Sequence, residues 1–195
     1  MEQDIGLLDD MIGRLLTIAR LDACAAPVPM TPVDLTGLVS QIVSDANFES
    51  HEHNSDVRLT AHGQYFVRGN AELLHSAIEN LVRNAIRYTE PTTSVEVLLE
   101  TGRRSNASHV HLVVRDYGPG VPESKLVSIF QPFYRVADAR DRQSGGSGLG
   151  LAIADRVIRI HGGTIRAENA SPRGLRVEIL LSHLAFDPLD SGSSV

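Results

Sequence analysis

The sequence predicts an α+β sandwich preceded by one long helix. Three observations carry the prediction. Helical and strand periodicities are mixed along the chain, no strand–helix–strand crossover rhythm repeats, and the hydrophobic fraction of 42% is ample for a packed core. A length of 195 residues suits one domain with an appendage.

Bulk charge and composition exclude several classes. Eighteen basic against 24 acidic residues leave a net charge of −6, without a long basic run. A general nucleic-acid binder shows a basic face, so no nucleic-acid partner is expected. The single cysteine, Cys24, has no internal disulfide partner and fits a reducing compartment. It reads as an ordinary helix-end residue more readily than as a reactive thiol. No apolar run approaches the ~20 residues that cross a bilayer. Met1 leads into an acidic amphipathic segment, not a signal peptide. The expectation is a soluble, cytoplasmic piece that makes no direct membrane contact.

Residues 2–22 read as a helix. Ile5, Leu8, Ile12, Leu15 and Ala19 alternate spacings of three and four, and Met11, Leu16 and Ile18 widen the stripe. Such a stripe suits a helical bundle formed with a second chain, or a helix packed on its own domain. The next segment favours the first. Pro27, Pro29 and Pro32 cannot continue a helix, so 25–32 reads as a linker after a leading unit of 1–24. The main domain is expected over 33–186 and a loose tail over 187–195.

Asp34 can cap a helix carrying Leu35, Leu38, Val39, Ile42 and Val43 on one face. Strands are predicted at 57–60 and 65–67 around a turn at His62–Gly63. Asn70 can cap a long helix over 71–88. Strands follow at 95–100 and 110–116, where Val110, Leu112 and Val114 share one face. A Gly/Pro/charge-rich stretch from 117 to 147 precedes a helix that ends at Ile160 before Gly162 and Gly163. Strands at 164–168 and 175–181 close the domain as a hairpin pair.

Four segments carry chemistry. In helix 71–88, Leu74, Ile78, Leu81 and Ala85 form the core stripe, while Asn80, Asn84 and Arg87 share a neighbouring face at i, i+4 and i+7. An amide oxygen binds Mg²⁺, and amide or guanidinium donors meet phosphate; two exposed asparagines on a solvated face is the plainer reading. Asp116-Tyr117-Gly118-Pro119-Gly120 places a carboxylate at a strand end beside glycines that allow close backbone approach, although a tight turn reads the same way. Gly145 to Leu151 is glycine-rich and opens a helix, which makes an anion cradle of backbone N–H groups. It is neither a Walker loop, since the only lysine is Lys125, nor a clean dinucleotide fingerprint. Phe130 to Arg135 lies between them, with aromatics able to cover a ligand and an arginine able to reach phosphate; a hydrophobically anchored loop is compatible with both.

Together these segments resemble, in order and spacing, the nucleotide boxes of bacterial sensor histidine kinases. Asn80 to Thr89 resembles the N box, Asp116-x-Gly118-x-Gly120 the G1 box, Phe130 to Arg135 the F box, and Gly146 to Leu151 the G2 box. The resemblance covers 31–181, and the stretch from Phe133 to Gly150 is similar to envelope-stress (Cpx-type) kinases. Residues 2–22 resemble the second helix of the dimerisation and phosphotransfer domain.

The resemblance implies a Bergerat fold, with a mixed sheet packed on three helices. It implies ATP and Mg²⁺ as cofactors. Asn84 would ligate the metal, with Asn80 beside it at the phosphates and Arg87 on phosphate. Tyr88 would pack near the base, and Asp116 would take the adenine amine, with Gly118, Gly120 and Val121 forming that end. Phe133, Tyr134 and Arg135 would belong to a lid over about 122–145. Gly146, Ser147, Gly148, Leu149, Gly150 and Leu151 would follow the triphosphate. Asn80, Asn84 and Arg135 would serve the transfer itself.

The implied partners are a response regulator and the dimerisation helices of a full-length homodimer. The family's acceptor box has a histidine followed by an acidic residue and, further on, a proline. None of the eight histidines here carries it. The expectation is therefore an excised piece of a membrane sensor kinase, lacking the acceptor and unable to phosphorylate itself.

Rival readings are another ATPase of the same fold, which would place a glutamate base where Asn80 stands, a docking module without nucleotide, and an anti-sigma-factor kinase. Two H-x-H pairs, His51/His53 and His109/His111, lack a third ligand in register for a metal.

Overall fold

A computed structural model of the protein describes residues 28–50, 56–104, 107–136 and 147–184. The leading helix, Cys24, the His51/His53 pair, the centre of the long loop with Gly146, and the tail lie outside these residues. The described strands are β1 (Thr31–Asp34), β2 (Val57–Ala61), β3 (Phe66–Gly69), β4 (Val95–Arg104), β5 (Ala107–Arg115), β6 (Thr164–Asn169) and β7 (Leu175–Ser182). The helices are α1 (Leu35–Ser50), α2 (Ala71–Tyr88) and α3 (Gly150–Ile160). Five strands form one mixed sheet in the order β2-β4-β5-β7-β6, and β1 pairs with β3 in a separate two-stranded ladder. This is the expected α+β sandwich.

Alternation decides which face of the sheet is covered. Leu99, Leu112, Ile179 and Ile165 stand opposite one another across β4, β5, β7 and β6, and all are buried. Val97, Val114 and Val177 make the next row. A slip of one residue would turn every row to solvent, so the register is strongly specified. The rows meet Val39 and Ile42 of α1, Leu74, Ile78, Leu81 and Ala85 of α2, and Ile153 and Val157 of α3 in one core. Each such aliphatic side chain contributes roughly 1.5–3 kcal/mol when buried.

The opposite face of the sheet is charged. Arg115 pairs with Glu96 at 3.7 Å, and His111 lies between Glu100 at 3.4 Å and Glu178 at 3.6 Å. His111 of the H-x-H pair on β5 thus sits among carboxylates. Among the described residues no cluster of three or more metal-ligating side chains forms.

Helix ends follow their caps. Asp34 accepts a hydrogen bond from the Gly37 N–H at 3.0 Å, and Asn70 from the Leu73 N–H at 3.0 Å. The strands around His62–Gly63 exist, but they do not pair with each other. β2 runs parallel to β4, and β3 runs antiparallel to β1. The cause lies in α1. Asn47 grips Val57 with both ends of its amide, at 2.7 and 2.9 Å, while Thr36 and Leu35 at the other end of the helix hold Tyr65. Thr31 and Pro32, read as linker, form the first half of β1. Proline is tolerated there because the ladder has only two strands.

His161 ties the end of α3 to the start of α2. Its Nδ1 donates to the Val157 carbonyl at 2.7 Å, which leaves Nε2 to accept the Asn70 N–H at 2.9 Å. Burial lowers its pKa below 6.5. The unfolded chain therefore takes up this proton first. The stabilisation is complete above about pH 6.5 and is lost as pH falls toward the folded value. Thermal unfolding of wild type and His161→Gln should show a midpoint that drops more steeply between about pH 7.5 and 5.5 in the wild type. Equal slopes would refute the assignment.

Candidate functional site

A cleft of about 1190 Å³ lies between α2, the segment after β5, the residues around Tyr134–Val136, the start of α3 and the β6–β7 turn. The position of α2 follows from its buried stripe, which turns the face of Asn80, Asn84, Arg87 and Tyr88 into the cleft. The Asn80 amide donates to the Ser76 carbonyl at 2.8 Å, and its Oδ1 looks toward Gly150, where a Cβ would come within 3.0 Å. Among the described residues the Asn84 side chain makes no hydrogen bond and Arg87 no ion pair. Arg83, one turn earlier, is held by Glu79 and Glu49, both at 3.1 Å.

At the opposite end Asp116 is 3% exposed. Its Oδ1 accepts two backbone N–H groups, Gly118 at 2.8 Å and Leu175 at 3.0 Å. Among the described residues its Oδ2 takes no hydrogen bond, and Asp116 lines the cleft. Burial raises the carboxyl above its usual 3.8, against the pull of those two donors and of Arg115. Gly118 stands behind this wall. A Cβ there would run into the Tyr88 carbonyl oxygen, so only glycine lets the loop lie on the end of α2. Thr89, buried at that same helix end, accepts the Tyr117 N–H at 3.1 Å and pairs with the Thr93 hydroxyl at 2.9 Å.

The long loop carries two 3₁₀ turns, Glu123–Lys125 and Ser128–Phe130, and is anchored by Ile129, buried within the second. Tyr134 and Arg135 line the cleft. Phe133 does not. It is 56% exposed with φ of 63°, and its N–H donates to the Gly148 carbonyl at 3.0 Å, joining the two ends of the loop. Ser147, Gly148, Gly150 and Leu151 line the cleft, whereas Leu149 is wholly buried in the core beneath them. No side chain caps α3, so its first N–H groups are left for water or a ligand. Gly120 and Val121 also line the cleft, and Gly146 lies outside the described residues.

Sequence reasoning missed Asn169, Arg173 and Gly174 and gave Thr89, the last residue of the N-box stretch, no role of its own; all four line the cleft. Arg173 donates to the Gly118 carbonyl at 3.3 Å and forms an ion pair with Glu90. Asn169 at the end of β6, with Arg173 and Gly174 in the turn to β7, lies far along the chain from the other boxes, and only the fold brings these three to Asp116.

The cleft thus has a carboxylate at one end. Two arginines, paired amides and an uncapped helix start line the same cleft, with Asn80 beside the start of α3. That polarity fits a ligand with an amino-bearing ring and a polyanionic tail.

Fold and cleft together define a nucleotide-binding ATPase domain of the sheet-on-helices kind. The chain belongs to the histidine kinase-, DNA gyrase B-, and HSP90-like ATPase family, whose model matches residues 69–184. Within it the chain is a catalytic ATP-binding domain of the sensor histidine kinase type. Sensor histidine kinase CpxA of Escherichia coli K12 is 38% identical over 182 residues, which is 93% of this chain and 38% of that protein. Probable sensor histidine kinase TcrY of Mycobacterium tuberculosis is 36% identical over 181 residues, 93% of this chain and 37% of that protein. The chain therefore spans less than half the length of these relatives.

Among solved structures, the mycobacterial sensor histidine kinase MprB superposes with a TM-score of 0.65 at 29% identity, covering 79% of this chain and 97% of that one. Full-length ShkA in complex with AMPPNP gives 0.73 at 26% identity, covering 90% of this chain and 36% of that one. No helix among the described residues is long and apolar enough to cross a membrane.

The raised pKa of Asp116 carries a sign. The folded protein holds this proton more tightly than the unfolded chain. The resulting stabilisation is full below about pH 3.8 and is lost as pH rises through the folded value. Ionised Asp116 is thus a stability cost at neutral pH. Asp116→Asn, whose Oδ1 can accept the same two N–H groups, should unfold at or above the wild-type midpoint. Asp116→Ala orphans both donors and should lose about 1–3 kcal/mol by chemical denaturation. Equal behaviour of the two variants would count against this account.

Proposed function

We propose that the cleft binds Mg·ATP as the donor half of a histidine phosphotransfer. The observation that carries this is the polarity of the site. Asp116 keeps one oxygen for an exocyclic amine, while Asn84, Arg87 and the bare start of α3 bring amide, guanidinium and N–H groups to the same cleft.

In this reading Asp116 takes the adenine amine, and Tyr88, Gly118, Gly120 and Val121 shape the base end. Ser147 to Leu151, together with Gly146, follow the phosphates with backbone N–H groups. Arg87 and Arg135 carry charge to the phosphate oxygens, and Tyr134, not the outward-facing Phe133, covers the cleft. Asn84 would hold Mg²⁺ through its amide oxygen, with Asn80 beside it. An unpaired carboxamide that lines the cleft fits this role. When bound, the ion neutralises charge on the phosphates.

Asn80 has its amide hydrogen committed to Ser76 and offers no basic carboxylate. A hydrolytic ATPase would need one there to activate water. Neighbouring Glu79 is engaged with Arg83 instead. The site is therefore read as one that positions ATP and leaves the attack to an incoming imidazole. That imidazole would come from the family's dimerisation helix, with residues 1–24 as its second helix and 25–32 as the linker. Onward transfer to a response regulator, assembly as a homodimer, and a cytoplasmic position within a membrane sensor belong to this same reading of the longer protein.

Calorimetric titration with ADP and a non-hydrolysable ATP analogue tests it. Wild type should bind in the micromolar range with Mg²⁺ sensitivity, and Asn84→Ala should lose about tenfold or more, as expected for a lost charge-assisted contact. A well-folded wild type that binds neither nucleotide would move the docking-module reading to first place. Incubation with labelled ATP should leave this chain's own histidines unlabelled, and stoichiometric labelling would contradict the donor-only role.

A further inference from the structure

We propose that Asn169 is a positioning residue for the base end of the cleft; this rests on the adenine-nucleotide reading of that cleft. Its carboxamide stands in for a peptide unit. Oδ1 accepts the Val121 N–H at 2.9 Å, and Nδ2 donates to the Val121 carbonyl at 2.7 Å. Both bonds of a strand partner are thereby supplied by one side chain.

The place of this bracket gives it its consequence. Asn169 is the last residue of β6, and β6 is an outer strand of the sheet. Among the described residues no strand pairs with Gly120–Val121, so the carboxamide supplies the hydrogen bonds that hold that segment at the sheet edge, beside the packing of Val121 on the core. The fit is close: Gly120 adopts φ of +73°, and a Cβ on it would come 2.7 Å from the Asn169 Oδ1. The entry to the same loop is held independently. Asp116 binds the Gly118 N–H, and Arg173 binds the Gly118 carbonyl.

Asp116, Pro119, Gly120, Val121 and Asn169 all line the cleft. Entry and exit of the loop therefore have separate anchors, and the wall between them is the one a ring would lie against. Loss of Asn169 leaves Asp116 in place and loosens the exit. The bracket is exposed to solvent, so water replaces both bonds at little cost to folding. The effect falls on binding.

The test compares wild type with Asn169→Ala by ADP calorimetry, thermal unfolding and amide hydrogen exchange. The substitution should weaken ADP binding roughly tenfold, the scale of one to two net hydrogen bonds. The unfolding midpoint should stay near the wild-type value. Exchange at the Val121 amide should quicken, while the Ile78 amide in the core of α2 stays as protected as before. An ADP affinity within twofold of wild type would overturn the proposal. So would an affinity loss accompanied by faster exchange at Ile78, which would mark general destabilisation. A wild type that binds no ADP removes the reading of the cleft itself, and this proposal with it.

Discussion

The rotation of α2 about its own axis is the constraint on which the rest depends. One side of this helix supplies Leu74, Ile78, Leu81, Val82 and Ala85 to the core. Those side chains fix the angle at which the adjoining polar face is presented. Asn80, Asn84 and Arg87 have no freedom to choose where they face. Their direction is decided by hydrophobic packing against the sheet, which is also the largest favourable term in folding. A site built on such a face is as rigid as the core beneath it.

The other end of α2 does equal service. Tyr88 and Thr89 receive the loop after β5, with Gly118 lying on the Tyr88 carbonyl and Tyr117 donating to Thr89. Asp116 closes this joint by bonding across to Leu175 on β7. Helix, loop and sheet thus meet within a few residues around one buried carboxylate. The site accepts an energetic burden there, because an ionised group with only partial hydrogen bonding is held away from water. Such a group is retained for what its spare oxygen meets, not for what it adds to the fold.

Periodic signals were the legible part. The boundaries of α2 at 71–88 and the apolar rows of β4, β5 and β7 could be read from spacing alone, because burial on one face imposes period 3.6 or 2 on the residues themselves. The pairing of β2 with β4 was not legible. It is decided by side chains of α1, Asn47 above all, whose reach to Val57 leaves no local pattern. The four boxes were visible because each is a short local motif. Asn169 and Arg173 were not, since an asparagine and an arginine near a turn look like ordinary surface residues until a distant loop is laid against them. Leu149 divides its roles in a way the glycine-rich pattern does not show: its side chain is a core residue that anchors the start of α3, and only its backbone is left for the cradle.

The hydrogen bond from Phe133 to Gly148 has a consequence for how such domains diversify. It brings together the two points where the chain leaves the sandwich and returns to it. The sequence between these two points is thereby joined to the sandwich across a narrow neck. The entropic cost of an insertion grows only with the logarithm of its length, so doubling it costs about 0.6 kcal/mol. Residues can be gained, lost or exchanged there without altering the helix rotation or the sheet register. A stretch joined at such a neck is freer to drift over evolutionary time than Asn80 and Asn84, whose helix is bound to the core.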